Sequence, residues 1–401
     1  MPLTAQSDAD QSECIPAEGE PIRIGAVFPR LELFSTEGPQ PLKGVEDMVQ
    51  AINECGGGRP VELVYAPANN RDQALEAVEM LRGDVALVIG SGSGAISQIL
   101  TEASADGSFV YWEVTEPLDS SSDWAFSPRA DSRQLGASAA QFALEQIPDL
   151  IDGREPRIAL LYEDRASLIA EGVTDVLQPH ITRRYSNHFQ DSYALAVDIR
   201  DEQIDVVIVA TFEQDAQYFW HQLRRADANI AAWIQVGSQL DDRCDSFAAI
   251  SIGAAGDVDP AYRVQAGGAV YERYRELSAG LFGAVSHRAD LAASGLHMLL
   301  TYVLAADDAP STSEEMRDAL LASEVPLYSG LMGEGLLLQD GESTNAAASV
   351  IVQQRQWDGF CTLEPGTLAT CTSGLQSFPT WRSRAVAASQ GICGTERDSL
   401  A

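Results

Sequence analysis

Lysine is almost missing from this chain. Lys43 stands alone among 26 basic residues, which face 59 aspartates and glutamates and leave a formal net charge of -33. Such a surface repels phosphate backbones and anionic membranes, so nucleic-acid and lipid-surface functions are disfavoured. A salt-tolerant solvated face and a GC-rich genome account for the composition equally well, and neither identifies a substrate. Long apolar runs are also missing. None approaches the roughly 18 to 20 residues that span a bilayer, and the opening MPLTAQSDADQSECIPAEGE has neither a basic start nor an apolar middle. No direct membrane insertion is expected. Any export signal is absent from this chain, or the protein stays in the cytoplasm. No C-x-x-C pair and no Cys/His cluster at zinc spacing occurs, so no metal is expected. The five histidines (His180, His188, His221, His287, His297) are scattered without a nucleophile motif, which gives hydrolysis no support.

What is present is enough for two cores. A length of 401 residues fits two domains or one large one, and 45% hydrophobic with 21% charged residues describes a globular protein. Six cysteines leave two readings open, buried thiols or disulfides. Three of them, Cys361, Cys371 and Cys393, lie in loop-like sequence near the end, where oxidised cysteines are more comfortable and an extracytoplasmic compartment is favoured.

From Ile22 onward the pattern alternates. IRIGAVF, VELVYA, VALVIG and FVYWEV read as buried strands; LKGVEDMVQAINECGGG, RDQALEAVEMLRG, AISQILTEASADG and RQLGASAAQFALEQI read as the helices that follow them. The unit then restarts with REPRIALLYE, a helix near SLIAEGVTDVLQ, a weaker strand near Ser186 to Phe189, a helix around Tyr193 to Arg200, IDVVIVAT, QDAQYFWHQLRRA and AAWIQVG. Strands alternating with helices imply parallel sheets covered on both faces. Two doubly wound sheets in tandem is the simplest account. Later segments, AYRVQAGGAVYERYRELSAG, RADLAASGLHMLLTYVLAADD and TSEEMRDALLAS as helices and GEGLLLQ and ASVIVQQRQW as strands, are too few for a third domain. They are expected to complete the first two, with the last strand pair packing across both.

The turn in VALVIGSGSGAISQ raises a specific question. Gly90, Gly92 and Ala95 match G-x-G-x-x-A, and Glu113 follows about twenty residues later, the outline of a dinucleotide site. In a dinucleotide fold, however, that fingerprint follows the first strand of the unit, and here it follows the third. The turn still offers backbone amides at a helix start to an anion or carboxylate, a contact worth roughly 0.3 to 1 kcal/mol when exposed. A tight strand-to-helix turn with no ligand is the plainer alternative.

The succession IRIGAVFPRLELFSTEG, LKGVEDMVQAINECGGG, RPVELVYA, RDQALEAVEML and VALVIGSGSGAISQILTEASADGSFVYWEV resembles the amino-terminal lobe of the type I periplasmic binding proteins. The group most similar is the one that captures branched-chain amino acids, amides and related solutes for ABC importers. RIALLYEDRASLIAEGVTDVL and IDVVIVATFEQDAQYFWHQLRRA resemble the opening of its second lobe, and YSGLMGEGLLLQDGESTNAAASVIVQQRQWDGF its closing strands. The resemblance implies an α/β protein of two doubly wound parallel-sheet lobes, a Venus-flytrap joined by three crossovers and closing on one small molecule. Lobe 1 is expected over 21–138 and 264–343, lobe 2 over 139–263 and 344–372, and terminal extensions over 1–20 and 373–401.

The same resemblance implies the ligand contacts. Ser93, Gly94 and Ala95 match the loop that holds a ligand carboxylate through hydroxyl and amides, although a serine there also suits a plain helix cap. WEVTEP matches a second contact stretch, with Thr115 as hydrogen-bonding residue and with Glu113 and Glu116 as carboxylates suited to an amine, or as solvated or hinge-bonded side chains. Phe34 matches a pocket-walling aromatic, while Glu37 stands where a tyrosine is common. In lobe 2, Phe212 corresponds to an aromatic contact, Trp220 to helix packing, and Arg165 falls where a tyrosine often reaches the ligand; an ion pair with Glu163 or Asp164 is its alternative. Amino-acid binders carry a carboxylate after the strand AAWIQVG, yet Gly237 and Ser238 follow here, so Gln235, Gln239 or Asp241 would have to substitute.

Cys14 precedes the first strand and Cys55 ends the helix returning from it, so this pair is expected to bridge at the end of lobe 1 remote from the cleft, for roughly 4 kcal/mol in the chain-entropy model. Cys361 and Cys371 flank a Pro-Gly turn and form the second expected pair, with Cys244 and Cys393 as the remainder. The function so implied is a periplasmic solute-binding protein, not an enzyme, without cofactor. It would capture a small polar or amine-bearing molecule and deliver it to the membrane permease of an ABC transporter. A cytoplasmic amide or amino-acid sensor of the same fold and an NAD-dependent oxidoreductase are the alternatives.

Overall fold

The computed structural model describes residues 13–30, 40–115, 117–119, 121–186, 191–211, 213–237, 248–253, 260–279, 287–300, 310–322, 324–330, 333–348, 350–356, 359–364 and 369–381. The chain divides into two compact units, 1–131 with 258–349 and 132–257 with 350–401. The first division falls at 131/132 rather than at the expected 138/139, because the whole helix beginning at Ser132 packs within the second unit.

Unit 1 is built on a five-stranded sheet in the order β2-β1-β3-β4-β5, formed by Val61–Tyr65, Ile22–Val27, Leu87–Gly90, Val110–Glu113 and Ala125–Phe126, every pairing parallel. The central strands are buried along their whole length, as near-continuous apolar runs require when helices cover both faces. On one face Ile24, Ala26, Ile89, Trp112 and Val114 pack with helix α1 (Gln40–Cys55), α9 (His287–Met298) and α10 (Ser313–Ala322). On the other, Val27, Val88 and Tyr111 pack with α2 (Arg71–Leu81) and α3 (Gly94–Ser104). Helix α2 starts where Asn70 accepts the Gln73 amide at 3.0 Å, a side-chain cap that satisfies one orphan donor. Helices α1 and α9 approach so closely that a Cβ on Gly44 would lie 2.1 Å from the Ala289 carbonyl oxygen. Within α8 (Pro260–Ser278), Gly268 at φ 52° interrupts the helical geometry. The short pair β11 (Glu324–Gly330) and β12 (Gly333–Leu337) is antiparallel.

Unit 2 carries a seven-stranded sheet in the order β14-β13-β10-β9-β8-β6-β7. Strands β6 (Ile158–Glu163), β7 (Ile181–Tyr185), β8 (Val206–Ala210), β9 (Ala232–Val236) and β10 (Ile250–Ile252) are parallel, whereas β13 (Val352–Gln356) and β14 (Gly359–Glu364) run antiparallel. Helices α4 (Ser132–Glu145) and α5 (Ser167–Val176) touch backbone to backbone. A Cβ on Gly136 would lie 2.0 Å from the Ile169 carbonyl oxygen, and one on Gly172 would lie 2.0 Å from that of Arg133. Helices α6 (Ser192–Asp201) and α7 (Glu213–Arg225) contribute to the other core, which joins Leu161, Val207, Phe219 and Trp233.

Three expectations change. The weak strand expected near Ser186 to Phe189 is β7, ending at Tyr185; residues 187–190 lie outside the described residues. The last two strands foreseen do not pack as a pair across both units: β12 pairs with β11 in unit 1, and β13 joins the unit 2 sheet. Within the expected extension 373–401, of which 382–401 lie outside the described residues, residues 373–381 pack on unit 2: Phe378 and Trp381 are buried against Trp220 with ring centroids 4.8 and 5.4 Å away. There the Trp381 indole donates to the Ala228 carbonyl at 2.8 Å, and Gln354 exchanges two 2.8 Å hydrogen bonds with the Gln376 backbone. Both expected cysteine pairs, Cys14–Cys55 and Cys361–Cys371, are disulfides. Cys244 and Cys393 lie outside the described residues.

Candidate functional site

At the carboxyl ends of β3 and β4 the chain brings five of the expected residues into one loop system. Register sets them side by side, because Gly90, the last residue of β3, pairs with Glu113, the last of β4. Beyond Gly90 the turn needs glycine twice. A Cβ on Gly90 would stand 2.7 Å from the Val27 carbonyl oxygen, and Gly92 holds φ at +75°, in the left-handed region.

Glu113 is fully buried. Its Oε1 accepts hydrogen bonds from the Ser91 amide at 3.1 Å, the Thr115 amide at 2.7 Å and the Thr115 hydroxyl at 2.8 Å. Its Oε2 accepts a short bond from the Tyr111 hydroxyl and lies 3.2 Å from Ser91 Oγ. Burying a carboxylate is costly unless several donors meet it, and here they do. Burial pushes the Tyr111 phenol well above its ordinary pKa, and the neighbouring Glu113 charge adds to the rise.

The loop's own groups also take the next amides. Gly92 donates to Thr115 Oγ1 at 2.8 Å and Ser93 to Ser91 Oγ at 3.2 Å, while Ser91 Oγ lies 2.7 Å from the Ser93 carbonyl oxygen. Arg129 donates a short bond to the Thr115 carbonyl.

The outer part of the turn is different. Ser93 occupies the N-cap position of α3 in extended backbone, yet its hydroxyl makes no capping bond. The serine is therefore not the plain helix cap considered as an alternative. Gly94 and Ala95 are exposed, and a Cβ on Gly94 would meet nothing within 4 Å. The first amides of any helix lack intrahelical acceptors, so Ser93 Oγ and the Gly94 and Ala95 N–H groups form an outward-facing donor set at the positive end of an 11-residue helix.

In unit 2, Arg165 sits in the single-turn 3-10 helix after β6 with an 80% exposed side chain, 3.9 Å from Glu163; Asp164 pairs with Arg184 instead. Gln235 is fully buried in β9, in register between Val209 and Ser251. Trp220 is helix packing, as expected. Phe34, Glu37, Glu116, Phe212, Ser238, Gln239 and Asp241 lie outside the described residues. Sequence reading missed Ser91, Tyr111 and Arg129. Tyr111 carried a signal, since period two in β4 puts it on the same face as Glu113.

The dinucleotide alternative does not fit this loop. A ribose-binding carboxylate must reach outward, whereas Glu113 is enclosed and bonded to the glycine turn itself.

The sequence model of a family described as periplasmic binding protein matches residues 21–356. The Leu/Ile/Val-binding protein homolog 7 of Brucella abortus (strain 2308) is 24% identical to this chain over 268 residues, covering 62% of this chain and 67% of its own. Among solved structures, an ABC transporter substrate-binding protein from Desulfitobacterium hafniense in complex with Leu is 17% identical, with TM-score 0.66 and coverage of 86% of this chain and 100% of that one. The branched-chain amino acid transporter substrate-binding protein of Streptococcus pneumoniae, in complex with isoleucine, is 16% identical, with TM-score 0.62 and coverage of 84% and 97%. At such identities the structural likeness establishes the fold, two α/β units of the type I kind. With a family match over most of its length, this chain belongs to the periplasmic binding protein family, whose members bind solutes and are not enzymes.

Proposed function

We propose that this protein is the extracytoplasmic receptor of an ABC importer and captures a small amino acid or a close relative, passing it unchanged to a membrane permease. The observation that carries the reading is the outward donor set Ser93 Oγ, Gly94 N–H and Ala95 N–H, which suits one carboxylate group. Leu- and Ile-bound structural neighbours and Leu/Ile/Val-binding relatives favour a branched-chain amino acid as first probe. Arg165, the exposed cation after β6, is the second unit's candidate contact. Two disulfides support an oxidising compartment such as the periplasm over the cytoplasmic sensor reading.

Calorimetry with leucine, isoleucine, valine and their carboxamides tests the reading. Binding of at least one amino acid is expected, with the carboxamide weaker. Ser93→Ala should weaken it roughly tenfold, as loss of one hydrogen bond to a charged group does, without lowering the melting temperature. A folded protein that binds none of the panel would refute the proposal.

A further inference from the structure

The turn between β3 and α3 is the kind of amide-lined concavity that receives external anions, yet its inner donors already hold an anion belonging to the chain. Ser91 N–H meets Glu113 Oε1, Thr115 N–H meets the same oxygen, and Gly92 N–H meets the Thr115 hydroxyl that in turn donates to Glu113. From the side of α3, Ser97 Oγ lies 3.3 Å from the Tyr111 hydroxyl that donates to Oε2. We infer that Glu113 is a positioning residue, an internal anion that locks the 91–95 turn to the 113–115 turn and leaves Ser93, Gly94 and Ala95 as the donors this turn offers the ligand.

This inference rests on the reading of that loop as the ligand contact, and it narrows where on the turn the ligand is met. The inner amides are occupied by Glu113, so an incoming anion meets the outer donors at the start of α3. A single carboxylate needs two or three outer donors, and those are what remain. Glu113 thus confines a carboxylate-bearing solute to those outer donors, without touching it. Tyr111, Ser91 and Thr115 close around it from two strands' ends, so the lock is made within unit 1 alone.

The test uses the full chain with leucine as probe ligand, and wild type, Glu113→Ala, Glu113→Gln and Ser93→Ala side by side. Glu113→Ala opens a space lined by the Ser91 and Thr115 amides and the Tyr111 hydroxyl, which formate can fill. The expected result is a leucine affinity lowered by roughly tenfold or more, restored toward wild type by added formate. Formate should leave Ser93→Ala unchanged, because there a contact is missing and not its support. Amide hydrogen exchange at Gly92–Ala95 in ligand-free Glu113→Gln should quicken relative to wild type, and this readout serves if the alanine variant does not fold.

Wild-type protein that ignores leucine and its analogues defeats the functional reading alone, and the exchange measurement still judges the lock. Unchanged exchange in Glu113→Gln overturns the lock. So does unchanged leucine affinity in Glu113→Ala, or a loss that formate does not reverse.

Discussion

His297, in α9, is buried in unit 1 and its pKa is lowered from 6.5 to about 4, because burial disfavours the imidazolium. The unfolded chain therefore binds a proton at a higher pH than the folded one. Stability from this residue is intact above about pH 6.5 and declines as pH falls toward 4, by up to about 3 kcal/mol. Chemical denaturation at a series of pH values should show His297→Leu losing less stability than wild type across that window. Parallel pH profiles would contradict the assignment. At this scale the sequence revealed the glycine turn but not the orientation of Glu113. A strand-end carboxylate can point to solvent or inward, and here it shares the face of Tyr111, which α2 and α3 cover.

Among the elements, α4 and α5 meet through reciprocal glycines, each standing where the partner's carbonyl would collide with a side chain. Gly136→Ala and Gly172→Ala should each destabilise unit 2 by about 1–3 kcal/mol, the usual cost of overpacking. Gly94→Ala, with open space around it, should cost far less. Urea unfolding of the three variants decides it, and equal midpoints would count against the close contact. The strand-helix alternation was plain in the sequence because buried parallel strands are apolar runs punctuated by amphipathic helices. Other elements left weaker traces. Strand β7 reads ITRRY and lies at the sheet edge with exposed arginines, so apolar periodicity marked it only weakly and a few residues late. Strands β5 and β10 are two and three residues long, and the strap ending at Trp381 is two aromatics in a polar stretch. Nothing local distinguishes such a segment from a free tail; only the waiting face of Trp220 does.

For the molecule as a whole, a net charge of -33 means that the folded state compresses a large self-repulsion. Sodium chloride shortens the screening length from about 30 Å at 0.01 M to about 3 Å at 1 M, so the melting temperature should climb over that range. A flat or falling curve would mean that the acidic groups are compensated locally by the arginines. Exposed pairs such as Arg23 with Asp84 and Arg82 with Asp106 soften this effect only slightly, since surface ion pairs contribute little.

Each unit is assembled from two stretches far apart in the sequence. During synthesis α1 emerges some 230 residues before α9, the helix that its Gly44 is shaped to meet, and roughly that whole interval must be translated before unit 1 can close. The same holds for Trp220, which waits for Trp381. A nascent chain with neither body able to finish early stays open to unfolded-state partners until its last segments have been made.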